Sequence, residues 1–278
     1  MINAAVLGAD VSKSRSPAIH EAAYRALGIE GRYQALSVDA AGFDALVARL
    51  RADGFRYLNV TIPHKAAAAA LATSSSAAVA AAGAANTLIF GGARVRAENT
   101  DGVGLINALG DLGFAARARR TVVLVGAGGA AAGAVEALTA AHVQVRLLAR
   151  RPAEARRIRA RLPAARRARV STATLTPRAL AAALAGADAL VSAVPAAAFA
   201  DESARAGLAA LARDTPVLEM AYGNTTPLAT AVRALTARYA DGLGMLVHQA
   251  AHGITLALGQ TPPLPPMFQA ARQVQSRR

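Results

Sequence analysis

Lysine is so rare in this chain that the place of one lysine points to chemistry. Of the 31 basic residues, 29 are arginine, and only Lys13 and Lys65 are lysine. Arginine stays protonated near neutral pH, whereas burial can tune a lysine to act as a general acid or base. Lys65 is therefore our candidate for a proton-transfer role, and chance retention of a lysine is the alternative.

Lys65 also follows a predicted strand at the end where α/β sheets place their sites. The predicted strand is Arg56–Ile62, and the chain then continues through Pro63 and His64. The polar side chains of Asn59, Thr61 and Lys65 arrive together at this strand end. We therefore expect a polar site here.

Two helix starts add polar groups whose roles the residues alone leave open. Ser14 and Ser16 precede a predicted helix over residues 18–27. Their hydroxyls could cap this helix or bind a small anion such as a carboxylate. Asp101 opens a second predicted helix, over residues 103–112, where it could be only an N-cap.

A second chemical site is indicated by the stretch Thr121–Ala131. Its apolar residues run directly into a glycine-rich turn, and an alanine-rich helical segment, Gly133–Ala141, follows. Gly126 permits a tight turn, and Gly128 lets the backbone approach a pyrophosphate held at the positive end of the helix. The pattern predicts a dinucleotide site, with a plain glycine turn in a parallel sheet as the alternative.

The end of the next predicted strand indicates which dinucleotide is bound. An NAD site usually carries an acidic residue there for the ribose 2′-hydroxyl, but this strand, residues 143–148, is followed by Ala149, Arg150 and Arg151. Guanidinium groups suit a 2′-phosphate because they are planar, multiply donating cations. We therefore predict NADP as the cofactor, and a solvated basic helix start is the alternative.

The composition excludes several classes of function. The net charge of +14 attracts polyanions, but the chain has no Trp and only 4% aromatic residues to stack on bases. We attribute the charge to a bias toward Arg and Ala, and we expect no nucleic-acid partner. With no Cys and no metal-ligand spacing among the five His, we expect no metal site.

No targeting or membrane segment is predicted. The N-terminus runs into a strand-like segment without a basic region and a long apolar core. The uncharged run of residues 66–93 consists mainly of Ala, Ser, Thr and Gly, which is too weakly apolar for a membrane span. We expect a cytoplasmic protein.

Alternating strand and helix patterns predict an α/β protein of two domains. Strands are expected at Ile2–Gly8 and along the glycine-rich half, and one later helix is expected over Pro227–Tyr239. Apolar residues after Asp241 recur at helical spacing, and we place this helix back on the first domain.

Seven short motifs follow one another along the chain in a fixed order. They are Ser14–Pro17 with His20, Asn59–Lys65, Ala85–Leu88, Asn99–Gly104, Gly126–Ala130, Tyr222 with Thr226 and Pro227, and Asp241–Ala251. In this order they resemble the shikimate dehydrogenase family over nearly the full length of the chain. Each motif is short, but seven in sequence are highly specific.

The resemblance implies a fold, a reaction and a setting. An open α/β substrate-binding domain, residues 1–107 plus 242–278, accompanies a Rossmann-type NADP-binding domain, residues 108–241. The implied activity is the reversible, NADP-dependent reduction of 3-dehydroshikimate to shikimate in chorismate and aromatic amino-acid biosynthesis. A cytoplasmic monomer or homodimer is expected.

The resemblance also implies residue roles. Lys65 and Asp101 form the catalytic pair, and Asp101 orients Lys65. The substrate-binding residues are Ser14 and Ser16 for the carboxylate with Tyr222 nearby, Thr61, Asn86 and Gln249 for the ring hydroxyls, and Asn59. The cofactor-binding residues are Gly126, Ala127, Gly128, Gly129, Ala130, Arg150, Arg151, Met220 and Gly242.

Two other functions stay open. The first is a quinate or aminoshikimate dehydrogenase of the same family, which could use NAD; Ser16 favours shikimate, because quinate-using relatives often carry Thr there. The second is a non-catalytic ligand-binding sensor on the same fold, against which the intact Lys65 and Asp101 argue. The chain departs from the usual family pattern at Ala149, at Glu154 and in the loop that begins at Ser192.

Overall fold

Two units, each built around its own six-stranded sheet, make up the chain. The computed structural model describes residues 1–223 and 225–276. Unit 1 comprises Met1–Gly104 and the described residues from Leu246 onward, and unit 2 comprises Leu105–Met245. The assignment of a substrate domain and a cofactor domain to these parts of the chain stays a prediction of function.

Unit 1 alternates strands and helices through its first hundred residues and ends in two helices. Its elements are β1 (Ile2–Gly8), α1 (Ser16–Ala26), β2 (Gly31–Ser37), α2 (Phe43–Ala52), β3 (Tyr57–Val60), α3 (Lys65–Ala70), β4 (Ser74–Ser75), α4 (Ala77–Ala82), β5 (Thr87–Gly91), β6 (Arg94–Glu98), the start of α5 (Asp101–Asp111), most of α12 (Leu243–Leu258), and α13 (Leu264–Ser276).

The sheet of unit 1 is mixed, with the strand order β2-β1-β3-β5-β6-β4. Strands β2, β1 and β3 are parallel, whereas β5 and β6 form an antiparallel hairpin beside β3. The inner strand β1 is apolar and buried from Ala4 onward, as expected for a strand covered on both faces. The antiparallel pairing of β3 with β5 brings Asn59 opposite Thr87, which lies at the start of its strand.

Unit 2 repeats strand and helix more regularly. Its elements are β7 (Thr121–Val125), α6 (Gly129–Ala140), β8 (Gln144–Ala149), α7 (Pro152–Arg161), α8 (Ala164–Arg167), β9 (Val170–Thr174), α9 (Pro177–Leu184), β10 (Ala189–Ser192), α10 (Glu202–Arg205), β11 (Val217–Glu219), α11 (Pro227–Arg233) and β12 (Tyr239–Ala240), with 3-10 turns at Ala196–Phe199 and Ala206–Ala210.

All strand pairs in the sheet of unit 2 are parallel, in the order β12-β11-β10-β7-β8-β9. Counted along the chain, this is the doubly wound order 3-2-1-4-5-6 of dinucleotide-binding sheets. The central strand β7 is wholly buried from Val122 to Val125. The order in which strands are added reverses between β7 and β10, and in such sheets the loops after these two strands diverge and form a crevice for a ligand. The α/β fold class expected from the sequence is confirmed.

Two predicted helix bounds were wrong. The helix expected over Pro227–Tyr239 ends at Arg233, because Tyr239 instead pairs with Val217 as part of β12. The helix after the glycine turn begins at Gly129, four residues earlier than expected. Glycine and alanine disguise that first turn, since neither shows the apolar spacing that marks a helix. Neither β9 nor the last helix, α13, was predicted from the sequence.

A buried aromatic cluster backs β1 and β3 in unit 1. The His20 ring stacks on Tyr33 at 3.9 Å between centroids, and its Nδ1 lies 2.6 Å from the Tyr57 hydroxyl. The Tyr24 hydroxyl lies 2.7 Å from that of Tyr57. Burial lowers the pKa of His20 to about 3, so the ring is neutral in the folded protein at neutral pH.

This histidine predicts acid sensitivity. Below the ordinary His pKa of about 6.5 the unfolded chain binds a proton that folded His20 does not, so stability falls as the pH falls. Relative to wild type, His20→Gln should lose about 2 kcal/mol less unfolding free energy between pH 7 and pH 5. Tyrosine fluorescence in urea would measure this, because three of the five tyrosines surround His20. The variant His142→Gln, at an exposed histidine, should keep the wild-type slope. Equal slopes for all three proteins would refute the assignment.

Within the described residues, no helix combines the length and apolar character needed to cross a bilayer.

Candidate active site

Lys65 and Asp101 form a buried ion pair in unit 1. Lys65 Nζ donates to Asp101 Oδ2 at 2.5 Å, and the two side chains are 14% and 3% exposed. Lys65 begins α3 and Asp101 begins α5, so two helix starts supply the pair. The Asp101 backbone N–H is bonded by the Asn99 side chain, which fixes the start of α5. The lysine predicted to move a proton is thus held on a carboxylate, with part of its surface open.

Asn86 makes several hydrogen bonds beside the ion pair of Lys65 and Asp101. Its Nδ2 donates to Asp101 Oδ1 at 2.9 Å and to Gln249 Oε1 at 3.0 Å, while its Oδ1 accepts from the Thr100 backbone N–H at 2.8 Å. The backbone of Asn86 is also bonded on both sides, to Val60 and Glu98. Asn86, Asp101 and Gln249 are thereby brought together with Lys65, although 163 residues separate Asn86 from Gln249.

Asn59 lies behind Asn86 and uses its amide internally. Its Nδ2 donates to the Asn86 carbonyl at 3.3 Å and to Thr87 Oγ1 at 3.0 Å. Its Oδ1 accepts from the Tyr33 hydroxyl at 2.7 Å. Asn59 was predicted to bind substrate; both hydrogens of its amide have acceptors within the protein.

The serine loop of unit 1 is held from the last helix. Ser14 Oγ accepts from the Ser16 backbone N–H at 3.2 Å, but α1 has no side-chain cap at its N-cap residue, Arg15. Arg15, between the two serines, is buried and donates to the carbonyl of Ala271 on α13. The hydroxyls of Ser16 and Thr61 make no hydrogen bond to any described residue, so both remain able to bind a ligand.

In unit 2 the glycine turn has the shape a diphosphate needs. Gly126 has a φ of +122°, and a Cβ there would lie 2.8 Å from the Ala193 carbonyl oxygen. A Cβ on Gly128 would meet nothing within 4 Å. Gly128 precedes α6 and gives it no side-chain cap, so the first N–H groups of the helix remain available to an anion. Gly126, Ala127, Gly128, Gly129 and Ala130 thus fit a pyrophosphate.

Arg150 and Arg151 follow the end of β8 and lead into α7. Both are exposed, and neither guanidinium group has a hydrogen-bond or ion-pair partner among the described residues. Many arginines farther along act structurally instead: Arg159 and Arg167 donate to backbone carbonyls, and Arg166 pairs with Glu136. The two guanidinium groups at the strand end therefore remain available for a phosphate.

Met220 and Gly242 lie against each other just beyond β11. A Cβ on Gly242 would overlap the Met220 carbonyl oxygen, and the Gly242 N–H donates to the Ala221 carbonyl at 3.0 Å. Only glycine fits there. The loop that follows presents Tyr222, which is 36% exposed.

A buried carboxylate that the sequence analysis missed closes this loop. Glu219 is 1% exposed, and its Oε2 accepts from the Thr226 hydroxyl at 2.5 Å and from the Tyr239 hydroxyl at 2.8 Å. Thr226 also caps α11. In the sequence, Glu219 was marked only as a single acidic residue at the end of an apolar strand.

The hydrogen-bond network around Asn59 and Asn86 also includes Thr87, Thr100 and Tyr33, which were not predicted from the sequence. Thr87 and Thr100 lie in motifs whose neighbouring residues, Asn86 and Asp101, were predicted to be functional.

No group of three His, Asp or Glu within the described part of the chain is placed to hold a metal ion.

Comparison with known proteins identifies the family of this chain. The sequence profile of the shikimate dehydrogenase substrate binding domain matches residues 6–88. A protein of Aromatoleum aromaticum named shikimate dehydrogenase (NADP(+)) is 37% identical over 276 residues, which cover 97% of this chain and 96% of that protein. The chain belongs to the shikimate dehydrogenase family.

Solved structures of the shikimate dehydrogenase family share the whole fold. The Mycobacterium tuberculosis shikimate dehydrogenase is 34% identical, with a TM-score of 0.83 over 99% of this chain and 100% of that one. The Thermus thermophilus enzyme, solved in complex with NADP(H) and shikimate, is 27% identical, with a TM-score of 0.82 and the same coverage. Family membership therefore rests on sequence and on structure.

Proposed function

We propose that this chain is an NADP-dependent shikimate dehydrogenase, which reversibly reduces 3-dehydroshikimate to shikimate in chorismate and aromatic amino-acid biosynthesis. The observation that carries the proposal is the ion pair of Lys65 with Asp101, bonded on its other carboxylate oxygen by Asn86. The proposal includes a cytoplasmic monomer or homodimer that works without nucleic acid.

Lys65 moves the proton of the reaction. In the reducing direction its ammonium group gives a proton to the ketone oxygen as that oxygen gains charge, and in the oxidising direction its amine takes the hydroxyl proton. Asp101 holds Nζ in place and accepts from the same substrate hydroxyl. Because both side chains are mostly buried, their electrostatic interactions are stronger than they would be in water.

The remaining polar groups of unit 1 bind the ring and its carboxylate. Ser16, with Ser14 beside it, receives the carboxylate, and Tyr222 is a further proposed substrate-binding residue. Thr61, Asn86 and Gln249 address the ring hydroxyls. The free hydroxyls of Ser16 and Thr61 support this assignment, since neither is spent on a described protein group.

NADP supplies or accepts the hydride when it is bound. The glycine turn Gly126–Ala130 would hold its pyrophosphate, Arg150 and Arg151 its 2′-phosphate, and Met220 and Gly242 the nicotinamide end. The open space at Gly128 and the uncapped start of α6 support this placement.

The test is a measurement of reduced nicotinamide from shikimate and from quinate, each with NADP and with NAD. Shikimate turnover with a clear NADP preference is expected. Preferential turnover of quinate, or an NAD preference, would instead assign the chain to another dehydrogenase of the family. Folded protein that binds shikimate but turns over no pair would be a ligand-binding sensor.

The two strand-end arginines should set the cofactor preference. The double variant Arg150→Ala, Arg151→Ala is expected to raise KM for NADP about 10–100-fold. Each substitution removes a guanidinium group and its charge-assisted hydrogen bond to the phosphate. KM for NAD should change less than about twofold, since NAD lacks that phosphate. Arg178→Ala, at an exposed arginine of α9, is the matched control. An equal rise in both KM values would contradict the assignment.

A further inference from the structure

A continuous chain of hydrogen bonds runs from the aromatic cluster to the catalytic pair. The Tyr33 hydroxyl donates to Asn59 Oδ1 at 2.7 Å, and Asn59 Nδ2 donates to Thr87 Oγ1 at 3.0 Å. Thr87 Oγ1 donates to Asn86 Oδ1 at 3.1 Å. Asn86 Nδ2 then donates to Asp101 Oδ1, whose second oxygen holds Lys65.

Backbone groups fix the direction of every bond in this chain. A carbonyl can only accept, so the Asn86 carbonyl identifies the neighbouring Asn59 atom as Nδ2. A backbone N–H can only donate, so the N–H of Thr100 identifies the neighbouring Asn86 atom as Oδ1. Between the two amides, Thr87 must accept from Asn59 and donate its one hydrogen to Asn86.

The surroundings of Thr87 make this hydroxyl hard to replace. Its side chain is fully buried, and Asn86 is only 4% exposed, so water is not at hand to take over a lost bond. Asn59 faces it from the neighbouring strand, since the two residues are paired in the sheet. No part of Thr87 belongs to the groups assigned to substrate or to the proton.

We propose that Thr87 is a positioning residue: its hydroxyl holds the Asn86 amide so that the NH₂ group faces Asp101, which in turn orients the carboxylate that holds Lys65. The significance for catalysis rests on the proposed function. The hydrogen-bonding role itself does not, because it concerns only groups of the ligand-free protein.

The variants separate the hydroxyl from the bulk of the side chain. Thr87→Val removes the hydroxyl at nearly constant volume, and Thr87→Ser keeps the hydroxyl. Thr139→Val is the matched control, because Thr139 is equally buried in α6 and its hydroxyl donates to the Val135 carbonyl. Tyr33→Phe removes the first donor of the chain and serves if Thr87→Val fails to fold.

The first readout needs no turnover. With ¹⁵N,¹³C-lysine the chain gives only two lysine side-chain signals, from Lys65 and from the exposed Lys13, which acts as an internal reference. Asp101→Asn shows the shift produced when Lys65 loses its anion. Thr87→Val is expected to move the Lys65 signal in the same direction and leave Lys13 in place, whereas Thr87→Ser and Thr139→Val leave both unchanged. Tyr33→Phe should give a smaller shift of the same sign.

The second readout is kinetic. Thr87→Val is expected to lower kcat/KM for shikimate about 10–100-fold, with KM for NADP within about twofold of wild type, and Thr87→Ser to restore kcat/KM to within about threefold. An unmoved Lys65 signal in Thr87→Val overturns the proposal, as does a Thr87→Ser variant no better than Thr87→Val. If Thr87→Val does not fold, an unmoved signal in Tyr33→Phe overturns it. If wild type does not turn over shikimate, the proposed function fails, and the Lys65 signal alone decides the role of Thr87.

Discussion

Replacing Lys65 with alanine is expected to lower kcat for shikimate about 10²–10⁴-fold while KM for shikimate changes less than about threefold. The variant removes the group that exchanges a proton with the substrate oxygen, and most of the carboxylate and hydroxyl contacts remain. Steady-state assays of NADPH formation would measure both constants. A large rise in KM with near-normal kcat would contradict the role assigned to Lys65.

Two further variants separate proton transfer from charge and from folding. Lys65→Arg keeps the positive charge but not the ability to release a proton, so it too should be nearly inactive, whereas Lys13→Arg should have wild-type activity. Lys65→Ala also leaves Asp101 buried without its cation, which destabilises the fold. The double variant Lys65→Ala, Asp101→Asn removes that charge, and it should recover stability without recovering turnover.

Alanine at Gly128 is expected to raise Kd for NADP about 10–100-fold without lowering the unfolding temperature. The added Cβ enters open space in the protein itself but takes the place into which the pyrophosphate must come. Titration followed by NADPH fluorescence would measure the loss of affinity. Gly110→Ala, which also adds a Cβ to open space in a helix, is the control and should bind NADP normally.

Gly126→Ala should have the opposite signature. Its φ of +122° and the Ala193 carbonyl 2.8 Å from the new Cβ leave no relaxed conformation, so unit 2 should lose about 3 kcal/mol of stability. Thermal unfolding of the two glycine variants side by side would show the contrast. A Gly128→Ala protein that binds NADP as wild type does would contradict the proposed pyrophosphate site.

The sequence predicted the regular parts of the fold and the kinds of chemistry, because both leave local marks. The strand β1 and the turn at Gly126 follow from apolar runs and glycine placement. The helix expected to reach Tyr239 could not be predicted correctly, since its end depends on pairing with β11, a contact that no local pattern records. The missed helix α13 is similar: its position follows from packing on α1 and from the buried Arg15.

The candidate site divides in the same way. Lys65 stood out because its residue type is rare in this chain, and Asp101 and Asn86 followed from a family resemblance. Tyr33 and Thr87 could not be found, because a buried tyrosine and a threonine at a strand start are ordinary residues. Thr87 meets Asn59 only because β3 pairs with β5, and Tyr33 reaches Asn59 from β2, which lies on the other side of β1.

The hydrogen bonds of Asn86 also limit which residues can replace it. Its oxygen accepts from the Thr100 backbone N–H, and its nitrogen faces three acceptors, on Thr100, Asp101 and Gln249, so both ends of the amide are specified. Aspartate has the same shape but would set a second negative charge beside Asp101, and glutamine would displace the amide by a methylene group. Almost all basic residues of this chain are arginine rather than lysine, but position 86 offers no comparable exchange. When codon 86 is randomised and the variants are selected for growth that depends on the activity of this enzyme, we expect to recover asparagine alone.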